Sequence, residues 1–131
     1  QDRSSAASDV YKRQTQIITQ EFIEDIYEGD FRILIIHGKP FKKTLARIPQ
    51  GDSFKGNLAA GGKGVVKDIS DFQFEMASEI GDFLIQKDIN FAGIDVIGNF
   101  LTEINVTSPT CARQILDQSG ENPIQEYFEK L

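Results

Sequence analysis

The chain has 131 residues and a mass of 14.7 kDa, a length that suits one domain with a modest core. Its composition, 40% hydrophobic and 26% charged, is typical of globular rather than disordered proteins. The formal net charge of −6 argues against a protein whose main role is to coat nucleic acid. A single cysteine and a single histidine exclude an internal disulfide, a thiolate metal cluster and a multi-histidine metal site.

Charge is distributed unevenly along the chain. Residues 1–30 carry a net −4, residues 31–67 a net +7 and residues 68–131 a net −9. No apolar stretch approaches the ~20 residues of a transmembrane helix, and the first residues contain no signal peptide. We therefore expect a cytoplasmic protein with no membrane or nucleic-acid partner. Residues 1–14 are polar and patternless, and are expected to be a disordered or non-native tail.

The first half of the chain is predicted to form strands and turns. Thr15–Ile23 is rich in β-branched residues and indicates a strand, and Glu24–Asp30 follows it as an acidic link. Arg32–Ile36 places four apolar residues behind an arginine, which suits a buried strand. After a turn over His37–Pro40, Phe41–Ile48 supplies the second strand of a hairpin.

The register of this hairpin decides where its arginines lie. A four-residue turn pairs Ile36 with Phe41. In the same register Arg32 lies opposite Leu45, so Arg32 and Arg47 share one face and are diagonal to each other. A planar guanidinium group suits phosphate and carboxylate ligands, although two surface arginines alone identify no function.

A glycine-rich segment follows the hairpin. Pro49–Gly64 holds five glycines in sixteen residues and is predicted to be a long, mobile loop. It is not a Walker A loop, because Asn57 and Gly64 occupy two of the four anchor positions of that pattern. A mobile loop carrying Lys55 and Lys63 would be able to cover phosphates, and a plain disordered linker is an equally consistent interpretation.

The clearest helix prediction covers Ser70–Asp88, where Ser70 and Gln73 fit a capping box. An apolar stripe along this helix is predicted to face the core. The stripe consists of Phe72, Met76, Ile80, Phe83 and Leu84.

Two more strands are predicted over Phe91–Ile97 and Leu101–Val106, joined by a tight turn at Gly98–Asn99. A helix is expected to open with Ser108 as its cap and Pro109 in its first turn.

That helix is predicted to end near Gly120, and a short amphipathic helix over Pro123–Leu131 ends the chain. These elements predict an α+β fold with a largely antiparallel sheet.

Three polar residues near the last strand are candidates for a metal site. Glu103 and Asn105 are two apart on a strand, so their side chains leave the same face, and their oxygens suit a hard cation such as Mg²⁺. A two-residue turn would pair Asp95 with Thr102 and leave its carboxylate on the wrong face. We predict a three-residue turn or an equivalent bulge, which pairs Asp95 with Glu103, because a cation would turn their repulsion into a site. An exposed edge hairpin with scattered acids is the alternative.

Two stretches resemble a known family: LARIPQGDSFKGNLAAGGKG and FAGIDVIGNFLTEINVTSPT. Both closely resemble the C-terminal part of bacterial glutathione synthetases, which belong to the ATP-grasp superfamily of carboxylate–amine ligases. The resemblance runs from about Thr15 to Ser119. It implies that residues 15–131 form the C-terminal portion of an ATP-grasp fold, with flanking helices and a mobile loop at 48–64. The chain would then be a fragment that lacks the N-terminal half of such an enzyme.

The resemblance implies an activity. Such enzymes join γ-glutamylcysteine to glycine with ATP and Mg²⁺ or Mn²⁺, through an acyl phosphate. The full-length enzyme would be a homo-oligomer, and the fragment alone is expected to be inactive. Another peptide-forming ATP-grasp ligase and a non-catalytic ATP- or anion-binding module are the alternatives.

The resemblance also implies site residues, each named here at its position in this chain. The implied metal ligands are Asp95, Glu103 and Asn105. The implied catalytic residues are Arg32, Arg47, Lys55, Asn57 and Lys63. The implied ATP-binding residues are Gln20, Glu21, Phe22, Ile23, Asp30 and Arg32. The implied substrate-binding residues are Arg47, Gly61, Gly62, Thr107, Ser108, Pro109 and Thr110.

One departure from the family concerns two of these residues. Lys55 and Lys63 stand where arginine is expected, so the positive charge is kept but the guanidinium fork is not. These two lysines and the two arginines lie within residues 31–67, the segment of net charge +7, which would therefore face phosphates and a carboxylate.

Overall fold

The fold is built on a five-stranded sheet in which every pair of neighbours is antiparallel. The computed structural model describes residues 18–51, 54, 56, 58 and 61–131. The strands are Asp30–Ile36 (β1), Lys39–Ile48 (β2), Lys63–Asp68 (β3), Phe91–Ile97 (β4) and Phe100–Asn105 (β5). Their order across the sheet is β3-β2-β1-β4-β5. The predicted α+β class with an antiparallel sheet is confirmed.

Helices cover both faces of the sheet. They are Asp71–Ile85 (α1), Ala112–Ser119 (α2) and Pro123–Glu129 (α3), with a short 3₁₀ helix at Glu24–Tyr27. One core lies beneath α1, and a second core on the opposite face includes Ile115 of α2. In the described ranges, every helix is too short or too polar to cross a membrane.

The central strand explains the run of four apolar residues that the sequence shows. Ile33 and Ile35 of β1 point into the core beneath α1, whereas Leu34 and Ile36 point into the core on the other face. All four are at most 1% exposed. A strand that is buried on both faces has no solvent side, so its sequence does not alternate.

Helix α1 begins as predicted, and three of the five residues of its predicted apolar stripe pack in or against the core. Ser70 and Gln73 form the reciprocal bonds of a capping box. Phe72 and Phe83, which were predicted to be core residues, are 44% and 55% exposed.

The buried face of α1 is formed by Gln73, Ala77, Gly81 and Leu84. Gly81 packs against the turn that joins β1 to β2, where a Cβ atom would lie 2.1 Å from the Gly38 carbonyl oxygen. The helix therefore approaches the sheet through its smallest side chains, and the two phenylalanines turn outwards.

The prediction of a strand over Thr15–Ile23 is wrong in its described part. Residues 15–17 lie outside the described residues, and 18–23 have no regular structure. β-branched residues favour extended backbone, but a strand also needs a neighbour that completes its hydrogen bonds. In the described ranges, no strand pairs with this segment.

The turn between β1 and β2 is shorter than predicted. His37 and Gly38, with φ of 47° and 76°, form a two-residue turn, and Ile36 therefore pairs with Lys39 rather than with Phe41. A register shift farther along β2 absorbs two extra residues, so Arg32 still lies opposite Leu45.

The predicted loop over 48–64 is too long at both ends. Ile48 belongs to β2, and Lys63 and Gly64 begin β3, which the sequence did not indicate. Arg47 pairs with Gly64 across the ladder. The connection therefore spans 49–62, and its mobility stays a prediction.

Helix α2 starts three residues later than the sequence indicated. It begins at Ala112, with Cys111 at the N-cap in a left-handed conformation, and ends at Gly120 as predicted. The oxygen Oδ1 of Asn105 accepts bonds from the backbone N–H groups of Thr107 and Ser108. This local turn uses Ser108 in a chain reversal, so Ser108 does not cap the helix.

Candidate functional site

A bulge between β4 and β5 brings two carboxylates to the same face of the sheet. The two strands are joined by a two-residue turn, yet Asp95 lies opposite Glu103 because the register shifts between Asp95 and Val96. Thr102 is the extra residue, and its hydroxyl donates a hydrogen bond to the Asp95 carbonyl at 3.1 Å. The predicted pairing of Asp95 with Glu103 is thus confirmed in its bulge form.

Asp95 lies between the two arginines of the hairpin. Arg32 donates to Oδ1 of Asp95 through Nε and to Oδ2 through Nη2, the latter at 2.9 Å. Nη2 of Arg47 lies 2.8 Å from Oδ2 of Asp95 and also donates to Oδ2 of Asp30. The diagonal placement of the arginines is confirmed, and the four side chains form a neutral, largely buried cluster.

Burial and hydrogen bonding shift the carboxyl groups of this cluster in opposite directions. Burial alone would raise the pKa of Asp95, but hydrogen bonds from Arg32 and Arg47 outweigh it and hold this pKa below its ordinary value. Burial raises the pKa of Asp30, because the attraction of Arg47 offsets only part of it. Asp95 is therefore the firmly ionised member of the pair.

Several polar atoms of the cluster keep bonding capacity. Among the described residues, Nε of Arg47 and Oδ1 of Asp30 are buried without a hydrogen-bond partner. In the part of the chain that the structure describes, Nη1 of Arg32 makes only a long bond of 3.4 Å to Oγ1 of Thr110. Buried polar atoms are rarely left unpaired, so these atoms indicate where a ligand would complete the cluster.

A cleft of about 530 Å³ opens beside the cluster, a size typical of small-molecule sites. One wall is the segment 20–23, and the opposite side includes Asp30, Asp95 and Glu103. Phe22 makes edge contacts with Tyr27, at a ring-centroid distance of 6.2 Å, and with Phe54, at 6.1 Å. The predicted ATP-binding residues 20–23 and Asp30 therefore share one cleft with two of the predicted metal ligands.

The donor set of this face fits a hard cation in part. In the described ranges, no three His, Cys, Asp or Glu side chains gather in a metal-binding cluster, so the candidate ligands are two carboxylates and one amide. Oδ1 of Asp95 accepts one bond, and the Glu103 side chain is exposed on the cleft. Asn105 already accepts two backbone bonds of 3.2 Å through Oδ1 and would have to release at least one.

The predicted substrate residues divide into two groups. The segment 107–110 crosses the face of the sheet, where Pro109 packs so closely on Gly93 that a Cβ atom there would lie 2.8 Å from the proline. Thr110 contacts Arg32 and thus joins the charged cluster.

The second group lies at the start of β3. Gly61 is in an exposed turn, Gly62 is half-buried, and Lys63 is exposed opposite Ile48. The predicted catalytic residues Lys55 and Asn57 lie outside the described residues.

Comparison with known proteins shows the family of the chain. The family profile described as "Prokaryotic glutathione synthetase, ATP-grasp domain" matches residues 5–120. The chain belongs to this family. Glutathione synthetases of Xylella fastidiosa, Xanthomonas campestris pv. campestris and Nitrosomonas europaea are 46%, 50% and 52% identical over 117, 114 and 106 residues. These matches cover 89%, 87% and 81% of this chain.

The same matches cover 37%, 36% and 33% of the three relatives, so this ATP-grasp chain spans about a third of their length. Two features of the described structure were missed in the sequence. Asp30 pairs with Arg47 in the ladder, which extending the hairpin register by two residues would have shown. The contacts of Gln118 with β3 carry no sequence signal.

Proposed function

We propose that the chain forms the metal- and phosphate-handling part of a glutathione synthetase, which joins γ-glutamylcysteine to glycine at the expense of ATP. The observation that carries the proposal is the Arg32–Asp95–Arg47 cluster, which lies beside Glu103 at a cleft walled by segment 20–23. The shared name of three relatives supports the choice of substrates. An ATP-consuming ligase also fits the cytoplasmic location and the homo-oligomer expected from the sequence.

The proposed reaction has two steps. The carboxylate of γ-glutamylcysteine attacks the γ-phosphorus of ATP, and ADP leaves. The product of this step is an acyl phosphate. The amine of glycine then attacks the carbonyl carbon of the acyl phosphate, so that the amide bond forms, phosphate departs and the amine loses a proton. Both steps need anions to be neutralised and held in place more than they need a protein nucleophile.

The residues of the cluster suit this task. Nη1 of Arg32 and Nε of Arg47 are guanidinium N–H groups with spare bonding capacity, and they would hold the phosphoryl group and the substrate carboxylate. Asp95 keeps both guanidinium groups oriented. We assign segment 20–23 to the adenine ring and Asp30 to the ribose.

The metal ligands are proposed to be Asp95, Glu103 and Asn105, with Asn105 released from its backbone bonds. Mg²⁺ or Mn²⁺ bound there would supply positive charge to the phosphate oxygens of ATP. Lys63 and Lys55 would add positive charge that neutralises the phosphates. The segment 107–110 and Gly61–Gly62 would contact the peptide substrate.

The proposal is tested in a full-length chimera, in which this chain replaces the matching segment of the Nitrosomonas europaea glutathione synthetase. We expect the chimera to form glutathione only when ATP, γ-glutamylcysteine, glycine and Mg²⁺ are all present. We expect the 131 residues alone to form none. Glutathione formation by the isolated chain would contradict the second expectation, and a chimera that prefers glutamate to glycine would favour another peptide-forming ligase.

A further inference from the structure

The amide of Gln118 occupies the open edge of the sheet. Among the described residues, β3 is the outermost strand on its side, and Gln118 of α2 reaches it from the second core face. Nε2 of Gln118 donates to the Gly64 carbonyl oxygen at 3.0 Å, and the Val66 N–H donates to Oε1 of Gln118 at 2.9 Å. The two bonds join one side chain to two alternate residues of the same strand.

This pair of bonds copies what a neighbouring strand would provide. An edge strand presents unpaired N–H and C=O groups, which leave it less firmly held than a central strand. A glutamine amide carries an acceptor oxygen and a donor N–H side by side, as the backbone N–H and C=O of one residue in a neighbouring strand do. Gln118 therefore provides partners for the Gly64 carbonyl and the Val66 N–H of β3.

The fixed position lies directly beside the charged cluster. Gly64 pairs with Arg47 on its inner side and is bonded by Gln118 on its outer side. Lys63 is the residue before Gly64 and begins the strand at the end of the glycine-rich connection. Anything that loosens Gly64 would thus shift Lys63 relative to Arg47.

We propose that Gln118 is a positioning residue, which acts through Lys63 by pinning the start of β3 beside Arg47. The inference rests on the proposed function, since Lys63 has a role only if the chain serves an ATP-dependent ligation. Its structural half, the closure of the sheet edge, stands on the two bonds alone.

The structural half is tested by Gln118→Met, which keeps the length and helix propensity of the side chain and removes both bonds. In the full-length chimera, we expect the Val66 amide to exchange hydrogen about tenfold faster in this variant. Gln125→Met is the matched control, because the side-chain amide of Gln125 donates to Glu129 of the same helix, and the backbone bond from Gln125 to Asn122 is kept in the variant. Unchanged exchange at Val66 in Gln118→Met would overturn the proposal.

The functional half is tested by kinetics in the same chimera. Two weak hydrogen bonds support an expected loss of about fivefold in kcat/KM for Gln118→Met, with no loss for Gln125→Met. In a Lys63→Met background, we expect Gln118→Met to cause little further loss, because both changes remove the same contribution. A full fivefold loss in that background, or wild-type kinetics despite fast exchange, would overturn the positioning role.

These outcomes separate the inference from the function on which it rests. If the unsubstituted chimera formed no glutathione, the proposed function and the kinetic role of Gln118 would both fail. The exchange rate of Val66 would then still decide whether Gln118 closes the sheet edge.

Discussion

Asp95 shows how one buried carboxylate can serve both the fold and the proposed chemistry. It accepts three hydrogen bonds from Arg32 and Arg47, and its side chain is only 7% exposed. Removing its charge would leave two buried guanidinium groups without their shared partner, which is far more costly than losing an exposed ion pair.

We expect Asp95→Asn to lower the free energy of unfolding of the 131-residue chain by about 3 kcal/mol. The measurement is urea denaturation at neutral pH. Asp68→Asn is the matched control, because the Asp68 side chain is 82% exposed beside Lys43, and its loss is expected to stay below about 1 kcal/mol. Equal losses for the two variants would contradict a stabilising role for the buried cluster.

The pKa of Asp30 is shifted in the direction opposite to that of Asp95, so Asp30 makes folding stability depend on pH in the opposite sense. Burial raises its pKa in the folded state, so the protonated form favours folding and its contribution declines as pH rises above the ordinary aspartate value of about 3.9. Urea denaturation between about pH 4 and pH 7 should therefore show wild type losing stability relative to Asp30→Asn. If the difference in unfolding free energy stayed constant, or grew in favour of wild type as pH rises, the attraction of Arg47 would outweigh burial at Asp30, contrary to the prediction.

At the scale of elements, contacts between neighbouring strands and side chains determined where elements begin and how they pair more than the propensities of single residues did. The bulge at Thr102 was predictable in effect, because it is the arrangement that keeps Glu103 on the face of Asp95. The start of α2 was not, because a side-chain bond from Asn105 recruits Ser108 into a turn. β3 was missed because KGVVKD offers only two apolar residues and is held by its neighbours, β2 and Gln118.

Because α1 lies so close to the β1–β2 turn, we expect a substitution at Gly81 to have the effect opposite to the one that helix propensity predicts. Gly81→Ala should stabilise an ordinary helix by about 0.5–1 kcal/mol. Here we expect a loss of about 2 kcal/mol or more, because the new Cβ would collide with the Gly38 carbonyl. Urea denaturation checks this, with Ser78→Ala on the same helix as a control expected to change little. A gain in stability for Gly81→Ala would contradict the described packing.

For the molecule as a whole, the sequence indicated the sheet, the diagonal arginines and the opposed carboxylates. These features follow from alternation, turn length and charge, which act between residues close in the hairpins. It misjudged the outward phenylalanines Phe72 and Phe83, because their exposure depends on the close contact of Gly81 with a distant turn. Contacts between distant segments were therefore the part that the sequence alone did not reveal.

The central claim is that the face of Asp95 and Glu103 binds the metal that ATP-dependent ligation needs. The most direct measurement is kcat/KM for glutathione formation by the full-length chimera with Glu103→Ala. The control is Glu129→Ala, because Gln125 of the same helix is the one side chain bonded to Glu129 among the described residues. We expect Glu103→Ala to lose about a hundredfold or more while the control keeps wild-type activity. Turnover of Glu103→Ala within about twofold of wild type would contradict the claim and favour a non-catalytic binding module.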